Sequence, residues 1–542
     1  MDETYDVVVV GGGAAGLSGA VALARSRRSV LVLDAGDPRN APAGHVHNFL
    51  TRDGTPPAEI YAIGRAEVTR YGGRVEPGRV TAVRREGKRG ERDERGERGD
   101  RFRVEIGDRA VAARRVLIAT GSHDELPGIP GLAERWGTDV LHCPYCHGWE
   151  VRDRRIGVLA TGPMAVHQAL LFRQLSPRVT FLQHTAPALT DEQREQLDAL
   201  GIAVVPGDVV QVESGATGLT GVSLADGSQV QLDALVVAPW CTARAELLSP
   251  LGLKPVEVLA GAQVLGTQVE SDATGATALP GVWVAGNVAD IRAQVVSSAA
   301  AGLGAGAAIN ADLIAEEAQA ALEAHRYERI YGEQAWDERY RSRPQTWSGS
   351  PNPVLVAEVS GLAPGTALDA GSGEGADALW LAARGWHVTG AEFSVTALER
   401  AAAQAAELGL QVSWQHLDLT REPPAGTYDL ISAFFLHLPA RARQTVWRHL
   451  AAAVAPGGML LVVGHDLSDL QTTMARPALA EMGWTAGEVA DALGEGWTIA
   501  VAEARPRLAT DPEGREITIH DAVLRARRDR PAAGDPGAGP AA

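Results

Sequence analysis

The feature that most constrains the fold is a pattern that occurs at three places in this chain of 542 residues. In each place a short apolar strand runs into a glycine-containing turn, and the turn opens a helix. The strands are Tyr5–Val10, Arg155–Ala160 and Thr366–Asp369. Such a strand, turn and helix open a Rossmann unit, in which the turn and the helix N-terminus bind the polar part of a nucleotide. The pattern predicts an α/β protein with three nucleotide-shaped sites.

The first turn, Gly11-Gly12-Gly13-Ala14-Ala15-Gly16, matches the dinucleotide-binding pattern G-x-G-x-x-G. In that pattern Gly11 permits the tight turn, Gly13 lets the backbone approach a pyrophosphate, and Gly16 lets the helix pack on the strand. Asp34 closes the next strand, at the place where an acid binds a ribose hydroxyl. The complete unit predicts a dinucleotide site.

The chain has three cysteines, Cys143, Cys146 and Cys241. An odd number as small as three argues against a disulfide framework in so long a chain. Two thiols at the Cys143–Cys146 spacing can close a small disulfide and share a lowered thiolate pKa. Half of a zinc site, a c-type haem attachment (His147 follows directly) and two structural cysteines are the alternatives. We expect Cys241 to be dispensable for redox chemistry.

Two further segments carry a family resemblance. Ala119-Thr120-Gly121 and the stretch 281–290, followed by Gln294, resemble the flavin-contacting segments of the low-molecular-weight thioredoxin reductases. The resemblance covers about residues 1–315 and implies that the dinucleotide is FAD and that the Cys-x-x-Cys pair faces the flavin. Asn287 stands where the family has aspartate, and its amide can still accept a hydrogen bond. The resemblance adds five flavin-binding residues, which are Thr120, Gly121, Gly286, Asn287 and Gln294.

The residues around the cysteine pair resemble a smaller group within the flavoproteins that are related to thioredoxin reductase. The string Cys143-Pro144-Tyr145-Cys146-His147-Gly148 has histidine where thioredoxin reductases have aspartate. It is similar to the FAD-dependent dithiol oxidases of disulfide natural-product pathways, of the gliotoxin, holomycin and romidepsin type. The similarity implies that Cys143 and Cys146 are catalytic. An imidazole titrates near neutrality and suits moving protons to and from thiols, so His147 is predicted to be catalytic too; a purely structural role is the alternative.

The second turn departs from a nicotinamide-binding pattern. It reads Ala160-Thr161-Gly162-Pro163-Met164-Ala165, so alanine replaces the first glycine and Pro163 removes one amide from the phosphate cradle. The segment Gln183–Thr185 has no arginine cluster for the 2′-phosphate of NADP(H). We predict that NADP(H) reduces the flavin weakly or not at all. Electrons would then run from a dithiol through the cysteine pair to FAD and on to an acceptor such as oxygen.

The third turn lies in Ala367-Leu-Asp-Ala-Gly-Ser-Gly-Glu-Gly375, which resembles motif I of the class I methyltransferases. The resemblance implies binding of S-adenosylmethionine. By the same resemblance, Asp369 is expected to face its ammonium group, Glu392 to bind both ribose hydroxyls and Asp418 to accept the adenine amino group. The backbone of the turn, at Gly371, Gly373 and Gly375, is expected to lie against the methionine and ribose portions. His437 and His465 are the polar residues expected near the methyl acceptor, each as a base or as a structural histidine.

These patterns predict a domain order. Residues 1–125 and 246–315 form an FAD-binding domain in two halves, interrupted by a Cys-x-x-Cys and NAD(P)-like domain at 126–245. A junction at 316–349 leads to a doubly wound class I methyltransferase domain at 350–530 and a disordered tail at 531–542. The expected fold class is therefore a two-domain Rossmann-type flavoprotein of the FAD/NAD(P)-binding kind, followed by the methyltransferase.

Composition excludes several function classes. The formal net charge is −17, and the dense Arg/Glu run from Arg84 to Arg101 alternates in sign, so no nucleic-acid partner is expected. The sequence has no signal-peptide pattern and no uninterrupted apolar run of about 18 residues, which predicts a cytoplasmic protein without a membrane span. No metal site is predicted.

The first functional hypothesis is a bifunctional enzyme that interconverts small dithiols and disulfides and methylates thiols or another soft nucleophile. An NADPH-dependent reductase of the protein thioredoxin, with an unrelated methyltransferase, is the alternative among enzymes. A flavin and thiol redox sensor is the alternative outside them. The partners expected are small thiol, dithiol or disulfide substrates, thioredoxin under the second hypothesis, and a second copy of the chain in a homodimer.

Overall fold

The computed structural model describes residues 3–86, 101–261, 263–472 and 483–530. The described residues form two compact units, one of residues 3–86, 101–261 and 263–316 and one of residues 317–472 and 483–530. Most of the predicted charged loop Arg84 to Arg101 and the predicted tail 531–542 lie outside the described residues.

The first unit opens with the predicted Rossmann strand, turn and helix. Its first elements are β1 (Thr4–Val10), α1 (Ala14–Arg25), β2 (Val30–Asp34), α2 (Pro57–Arg70), β3 (Arg74–Pro77), β4 (Val80–Glu86), β5 (Arg101–Ile106), β6 (Arg109–Ile118) and β7 (Ser122–Glu125). The sheet order is β3-β2-β1-β6-β5-β4, with β2 and β6 parallel to β1. The valines from Val7 to Val10 are all buried, as expected of a parallel strand covered on both faces.

A second Rossmann-type layer follows β7. Its elements are β8 (Val140–Leu141), α3 (Pro144–His147), β9 (Ile156–Leu159), α4 (Ala165–Arg173), β10 (Val179–Leu182), α5 (Asp191–Ala199), β11 (Ala203–Val205), β12 (Val209–Gly215), β13 (Gly218–Leu224), β14 (Gln229–Gln231) and β15 (Ala234–Val237). The main sheet has the order β11-β10-β9-β15-β8, and β12, β13 and β14 form a small antiparallel sheet beside it. The fully buried Ile156, Val158, Phe181 and Val236 form its core with α4.

The chain then returns to the first sheet. The connecting elements are β16 (Trp240–Ala243), β17 (Pro255–Ala260), β18 (Gln263–Val269), β19 (Val282–Val284) and α6 (Val295–Tyr331). Strand β16 pairs antiparallel with β7, in a sheet of order β17-β18-β16-β7, and β19 pairs with β6. The chain thus leaves the first layer through β7 and comes back through β16, which leaves that layer assembled from two separate stretches of sequence.

By length and composition alone, the helical stretch Val295–Ser342 is long and apolar enough to cross a membrane. Its first half, however, packs inside the first unit, where Ala305, Ile309 and Leu313 are fully buried. A Cβ atom at Gly302 would lie 1.9 Å from the carbonyl oxygen of Ala15, so α6 and α1 are in backbone contact there. This packing accounts for the apolar residues on one face of the helix, whereas 33% of its most apolar stretch is buried in all and Leu303 and Ile314 are exposed.

The second unit is a doubly wound sheet. Its elements are α7 (Glu333–Ser342), α8 (Pro353–Val359), β20 (Thr366–Ala370), α9 (Ala376–Ala382), β21 (His387–Glu392), α10 (Val395–Glu407), β22 (Val412–His416), β23 (Tyr428–Phe434), α11 (Ala440–Ala453), β24 (Val454–His465), α12 (Ala486–Leu493), β25 (Trp497–Thr510) and β26 (Glu516–Arg528). The sheet order is β22-β21-β20-β23-β24-β26-β25; β26 runs antiparallel to both of its neighbours, and the other neighbouring pairs are parallel. Helix α7 lies in the range 316–349 that the sequence assigns to a junction, and it belongs to this unit.

Candidate active sites in the two units

A cavity of about 840 Å³ lies in the first unit, where the carboxyl ends of β1, β2 and β6 meet. The cavity brings together all but one of the residues that the sequence assigns to the flavin and to thiol chemistry. They are Gly11, Gly13, Asp34, Thr120, Gly121, Cys143, Cys146, His147, Gly286, Asn287 and Gln294. Gly16 is the exception, since a Cβ atom there would lie 1.9 Å from the carbonyl oxygen of Gly11. Gly16 therefore acts through helix packing.

The glycine turn after β1 fits a pyrophosphate group. Gly11 has φ +115°, a conformation that favours glycine, and a Cβ atom there would lie 2.3 Å from the carbonyl oxygen of Ala119. Nothing lies within 4 Å of a Cβ atom built at Gly13, so the chain is open on that side. Gly13 is also the N-cap of α1, and the amides of the first helical turn lack partners within the helix. An open backbone and unpaired amides are what a bound anion needs.

The residues that the resemblance adds are held by the backbone around them. The Thr120 hydroxyl donates to the carbonyl of Arg244 at 2.6 Å. The side-chain nitrogen of Asn287 donates to the carbonyls of Asp290 and Ala293, at 3.0 and 2.8 Å. These bonds orient Asn287 so that its side-chain oxygen remains as the acceptor. Asparagine can thus present an acceptor to a ligand hydroxyl where aspartate would.

Cys143 and Cys146 are joined in a disulfide that lines the same cavity. Cys143 caps the short helix α3, and Pro144 at its first position starts the turn. The amides of Cys146 and His147 both donate to the carbonyl of Cys143 and close this turn. The local fold therefore follows directly from the Cys-Pro-x-Cys spacing.

Two histidines flank the disulfide. Burial lowers the pKa of His142 to about 4, and its ring stacks on Trp136 at a centroid distance of 5.7 Å. Burial also lowers the pKa of His147. The Nε2 atom of His147 is buried and has no hydrogen-bond partner among the described residues. An uncharged imidazole with an unpaired ring nitrogen beside a disulfide can exchange a proton with a thiol.

The sequence did not indicate a charged group that lines the cavity beside these histidines. Arg39 forms a bidentate ion pair with Asp124, at 2.9 Å from Nε and 2.6 Å from Nη2. The same guanidinium donates to the sulfur of Cys241 at 3.3 Å. Burial raises the pKa of Cys241 to about 11. Cys241 is thus a buried, protonated thiol that takes no part in the disulfide, and only its spacing distinguishes it in the sequence.

The second glycine turn, after β9, is filled by the chain itself. The side chain of Gln263 on β18 accepts a hydrogen bond from the amide of Met164 at 3.2 Å. A Cβ atom at Gly162 would lie 2.4 Å from the same side chain. The Gln183 side chain bonds the carbonyls of Ala186 and Pro187, and His184 accepts from the amide of Val209. The amide of Met164 and the side chains of Gln183 and His184 are thus bonded to protein groups in this structure.

The third turn, after β20, fits a cationic amino-acid ligand. Gly371, Gly373 and Gly375 all have positive φ, from +52° to +87°, as a tight glycine turn requires. Asp369 is buried at the end of β20, and burial and then the nearby charge of Asp377 raise its pKa. Its Oδ1 atom contacts the hydroxyl of Ser432 at 3.2 Å, whereas its Oδ2 atom is buried without a partner in the described parts of the chain. A bound ammonium group would supply the charge that this carboxylate lacks.

The two acids assigned to the ribose and the adenine already have protein partners. The Glu392 carboxylate accepts from the amides of Gly373, Phe393 and Ser394 at 2.9–3.0 Å. Three of its four lone-pair sites are occupied, so a bond to both ribose hydroxyls requires one amide to move. Asp418 accepts from the amide and hydroxyl of Thr420, at 2.9 and 2.6 Å.

His437 and His465 lie together at the carboxyl ends of β23 and β24, with ring centroids 5.6 Å apart. His437 stacks on Tyr331 at 5.2 Å and lies 5.8 Å from Trp336. Burial, followed by the charge of Arg339, lowers the pKa of His437 to about 4. Phe435 beside them has φ +51°, an uncommon conformation for a non-glycine residue that concentrates at functional sites. No cluster of metal-ligating side chains occurs among the residues that the structure describes.

Comparisons with known proteins match each of the two units to a protein family. Residues 5–306 match the pyridine nucleotide-disulphide oxidoreductase family, and residues 367–458 match a methyltransferase domain family. The chain is 29% identical to thioredoxin reductase sirT of Leptosphaeria maculans, over 56% of this chain and 93% of that protein. It is 34% identical to thioredoxin reductase tcpT of Claviceps purpurea, over 46% of this chain and 78% of that protein.

Among solved structures, HlmI has 44% sequence identity and a TM-score of 0.54, covering 59% of this chain and 96% of HlmI. An oxidoreductase from Agrobacterium tumefaciens has 35% identity and a TM-score of 0.52, covering 57% of this chain and 99% of its own. These likenesses confirm the fold and the thioredoxin-reductase-like character predicted for the first unit. The chain belongs to the pyridine nucleotide-disulphide oxidoreductase family, and it carries a methyltransferase domain after the oxidoreductase.

Proposed function

We propose that this chain is a bifunctional enzyme that oxidises small dithiols with FAD and methylates small thiols with S-adenosylmethionine. One observation supports the first activity above the others, namely that the disulfide Cys143–Cys146 lines the same cavity as the glycine turn at Gly11 and Gly13. A substrate thiol that reaches this cavity meets a disulfide and a flavin cradle together. FAD, when bound, supplies a two-electron acceptor there.

The proposed oxidation begins with thiol–disulfide exchange. One substrate thiolate attacks a sulfur of the Cys143–Cys146 bond and forms a mixed disulfide, and the second substrate thiol displaces the protein sulfur. The substrate leaves as a disulfide, and the two protein cysteines receive two electrons and become thiols. His147 accepts a proton from the attacking thiol, since burial keeps its imidazole neutral. Bound FAD would accept two electrons from the two cysteine thiols, which would lose their protons and close the disulfide again.

We propose oxygen, rather than NADP⁺, as the final electron acceptor. The side chain of Gln263 lies in the second glycine turn and occupies the amide of Met164, one of the donors that a pyrophosphate would need. Pro163 has no amide to offer. Both features reduce the anion-binding capacity of that turn, which supports electron entry from the dithiol alone.

For the methyltransferase, the supporting observation is the buried Asp369 beside the turn Gly371–Gly375, which lacks a counter-charge. S-adenosylmethionine, when bound, supplies an activated methyl group, so the protein chiefly aligns donor and acceptor. His437 and His465 lie at the same edge of the sheet and would contact a small acceptor thiol. The two activities are alternative fates of a free thiol, which is the proposed reason for one chain carrying both.

The test of the oxidase is an anaerobic titration of the full-length flavoprotein, with dithiothreitol and separately with NADPH, while flavin absorbance is followed. We expect bleaching by the dithiol and little by NADPH. Cys143→Ser and Cys146→Ser should each abolish dithiol bleaching, and the matched control Cys241→Ser should retain it. Rapid stoichiometric bleaching by NADPH would instead favour an NADPH-dependent reductase.

The test of the transferase is incubation with S-adenosylmethionine and a panel of small mono- and dithiols, analysed by mass spectrometry. S-Methyl products are expected. Methylation of oxygen, nitrogen or carbon acceptors only, with every thiol inert, would contradict the shared thiol substrate while leaving both enzyme activities in place.

A further inference from the structure

The segment 333–347 contacts the rest of the second unit at three neighbouring points, at the carboxyl ends of the strands of its sheet. Beyond β20, the amides of Thr346 and Trp347 donate to the buried carboxylate of Glu374, at 2.9 and 3.1 Å. Beyond β21, Asp337 on α7 accepts from the hydroxyl of Ser394 at 2.5 Å and the amide of Thr396 at 3.1 Å. The segment thus crosses the strand ends where a nucleotide binds in a doubly wound sheet.

The third contact is at the end of β22, where Nε2 of His416 lies 3.2 Å from Oε1 of Glu333. Arg400 reinforces the first of the three. Its guanidinium forms an ion pair with Glu374 at 2.7 Å and donates to the carbonyls of Tyr340 and Arg343, at 2.5 and 2.8 Å. One guanidinium therefore binds both the Glu374 carboxylate and two carbonyl groups of the segment, which holds the segment in place.

Two aromatic side chains of this segment lie directly over the glycine turn. A Cβ atom built at Gly373 would lie 3.1 Å from the hydroxyl of Tyr340 and 3.5 Å from the indole nitrogen of Trp347. That indole donates to the Tyr340 hydroxyl at 3.1 Å, so the hydroxyl proton remains for another acceptor. Burial and the charge of Glu392 raise the pKa of Tyr340, which keeps that proton in place.

We propose that residues 333–347 complete the S-adenosylmethionine site, and that Tyr340 and Trp347 bind the methyl donor directly from above the Gly371–Gly375 turn. The inference rests on the proposed methyltransferase function. It adds two ligand-binding residues that lie outside residues 367–458, the part that matches the methyltransferase family. Neighbouring rings extend the same surface, since Trp336 lies 5.9 Å from Trp347 and 5.8 Å from His437.

The test measures the affinity of the full-length protein for S-adenosylmethionine by isothermal titration calorimetry. Tyr340→Phe removes one hydroxyl and is expected to raise the dissociation constant about fivefold, and Trp347→Ala about tenfold or more. Trp380→Ala is the matched control, because the ring of Trp380, on α9, lies against Arg384, and it should change the constant less than about twofold. Arg400→Ala, which releases the carbonyls of the segment, should also weaken binding.

Hydrogen exchange provides a readout that does not depend on activity. Addition of S-adenosylmethionine to the wild-type protein should slow amide exchange in residues 333–347, and this protection should be lost in Trp347→Ala. Flavin absorbance in the first unit and the melting temperature without ligand establish that each variant is folded.

The outcomes separate the two proposals. If the wild-type protein binds S-adenosylmethionine while the folded Tyr340 and Trp347 variants bind it equally well and segment 333–347 gains no protection, the segment is not part of the site and the methyltransferase proposal stands. If the wild-type protein does not bind S-adenosylmethionine at all, both are wrong. A variant that does not fold is replaced by Trp347→Phe, which keeps a ring and removes the indole N–H.

Discussion

The first and second glycine turns of the oxidoreductase unit each follow a Rossmann strand and open a helix, but they have opposite surroundings. At Gly13 nothing lies within 4 Å of a built Cβ atom, and the turn opens on the cavity that contains the disulfide. At Gly162 a built Cβ atom would lie 2.4 Å from the side chain of Gln263. A strand, turn and helix therefore supply a cradle at both places, and at the second one a side chain distant in the sequence lies inside it.

The largest effect on stability is expected from a substitution at the first turn. Gly16→Ala places a methyl group 1.9 Å from the carbonyl oxygen of Gly11 and should cost about 3 kcal/mol of folding free energy or more. Gly13→Ala meets no protein atom, so it should leave stability within about 1 kcal/mol while weakening FAD retention. Urea unfolding and flavin content of the purified variants measure the two effects. A Gly13→Ala protein that unfolds as easily as Gly16→Ala would show that the open side of the turn is not reserved for a ligand.

The third turn, which Tyr340 and Trp347 cover, adds a histidine whose burial can be tested by pH. The pKa of His437 is lowered to about 4, so His437 is protonated at a lower pH in the folded chain than in the unfolded chain. The stability that this difference contributes to the folded chain is fully present above about pH 6.5. It is lost as the pH falls from there toward 4, by about 3 kcal/mol in total. His437→Phe, which keeps a ring against Tyr331, should reduce that loss in urea unfolding compared at neutral pH and near pH 5.

The exposed His387 at the start of β21 provides the control, and His387→Phe should leave the acid sensitivity unchanged. Equal acid sensitivity of the wild-type and His437→Phe proteins would mean that the covering rings do not exclude water from His437.

The smallest effect is expected at the second turn. Gln263→Ala frees the amide of Met164 and should strengthen NADPH binding about fivefold, by about 1 kcal/mol, as one regained hydrogen bond would. Gln268→Ala on the same strand is the control. Equilibrium binding of NADPH, followed by fluorescence, measures the change. No gain in Gln263→Ala would place the obstacle in Pro163 and Ala160 and not in the glutamine.

The fold was predictable wherever adjacent residues determine it. Runs of apolar residues, the glycines of the turns and the acid at the next strand end identified β1, α1, β2, β20 and β21 correctly. The predicted α/β fold class, with a thioredoxin-reductase-like unit followed by a methyltransferase domain, is confirmed. In the site, the disulfide Cys143–Cys146 was also within reach, because its geometry needs only the local spacing.

The features that were missed are contacts between distant residues. Gln263 is about a hundred positions from Gly162, and Arg39 is 85 positions from Asp124. Neither residue belongs to a motif, and each is an ordinary polar residue until the strands bring it to its partner. The covering rings of the third turn were missed for another reason, since Tyr340 and Trp347 lie in a polar helical stretch that resembles a linker by composition.

The position of the boundary between the units has a consequence for dissecting this gene. The second compact unit begins at Glu317, whereas the recognisable methyltransferase sequence begins at residue 367. A fragment cut by sequence similarity alone would discard α7, the amides of Thr346 and Trp347 that donate to Glu374, and the rings over Gly373. Heterologous expression of the transferase, or its exchange between related genes, should therefore keep the fifty residues that carry no family signature.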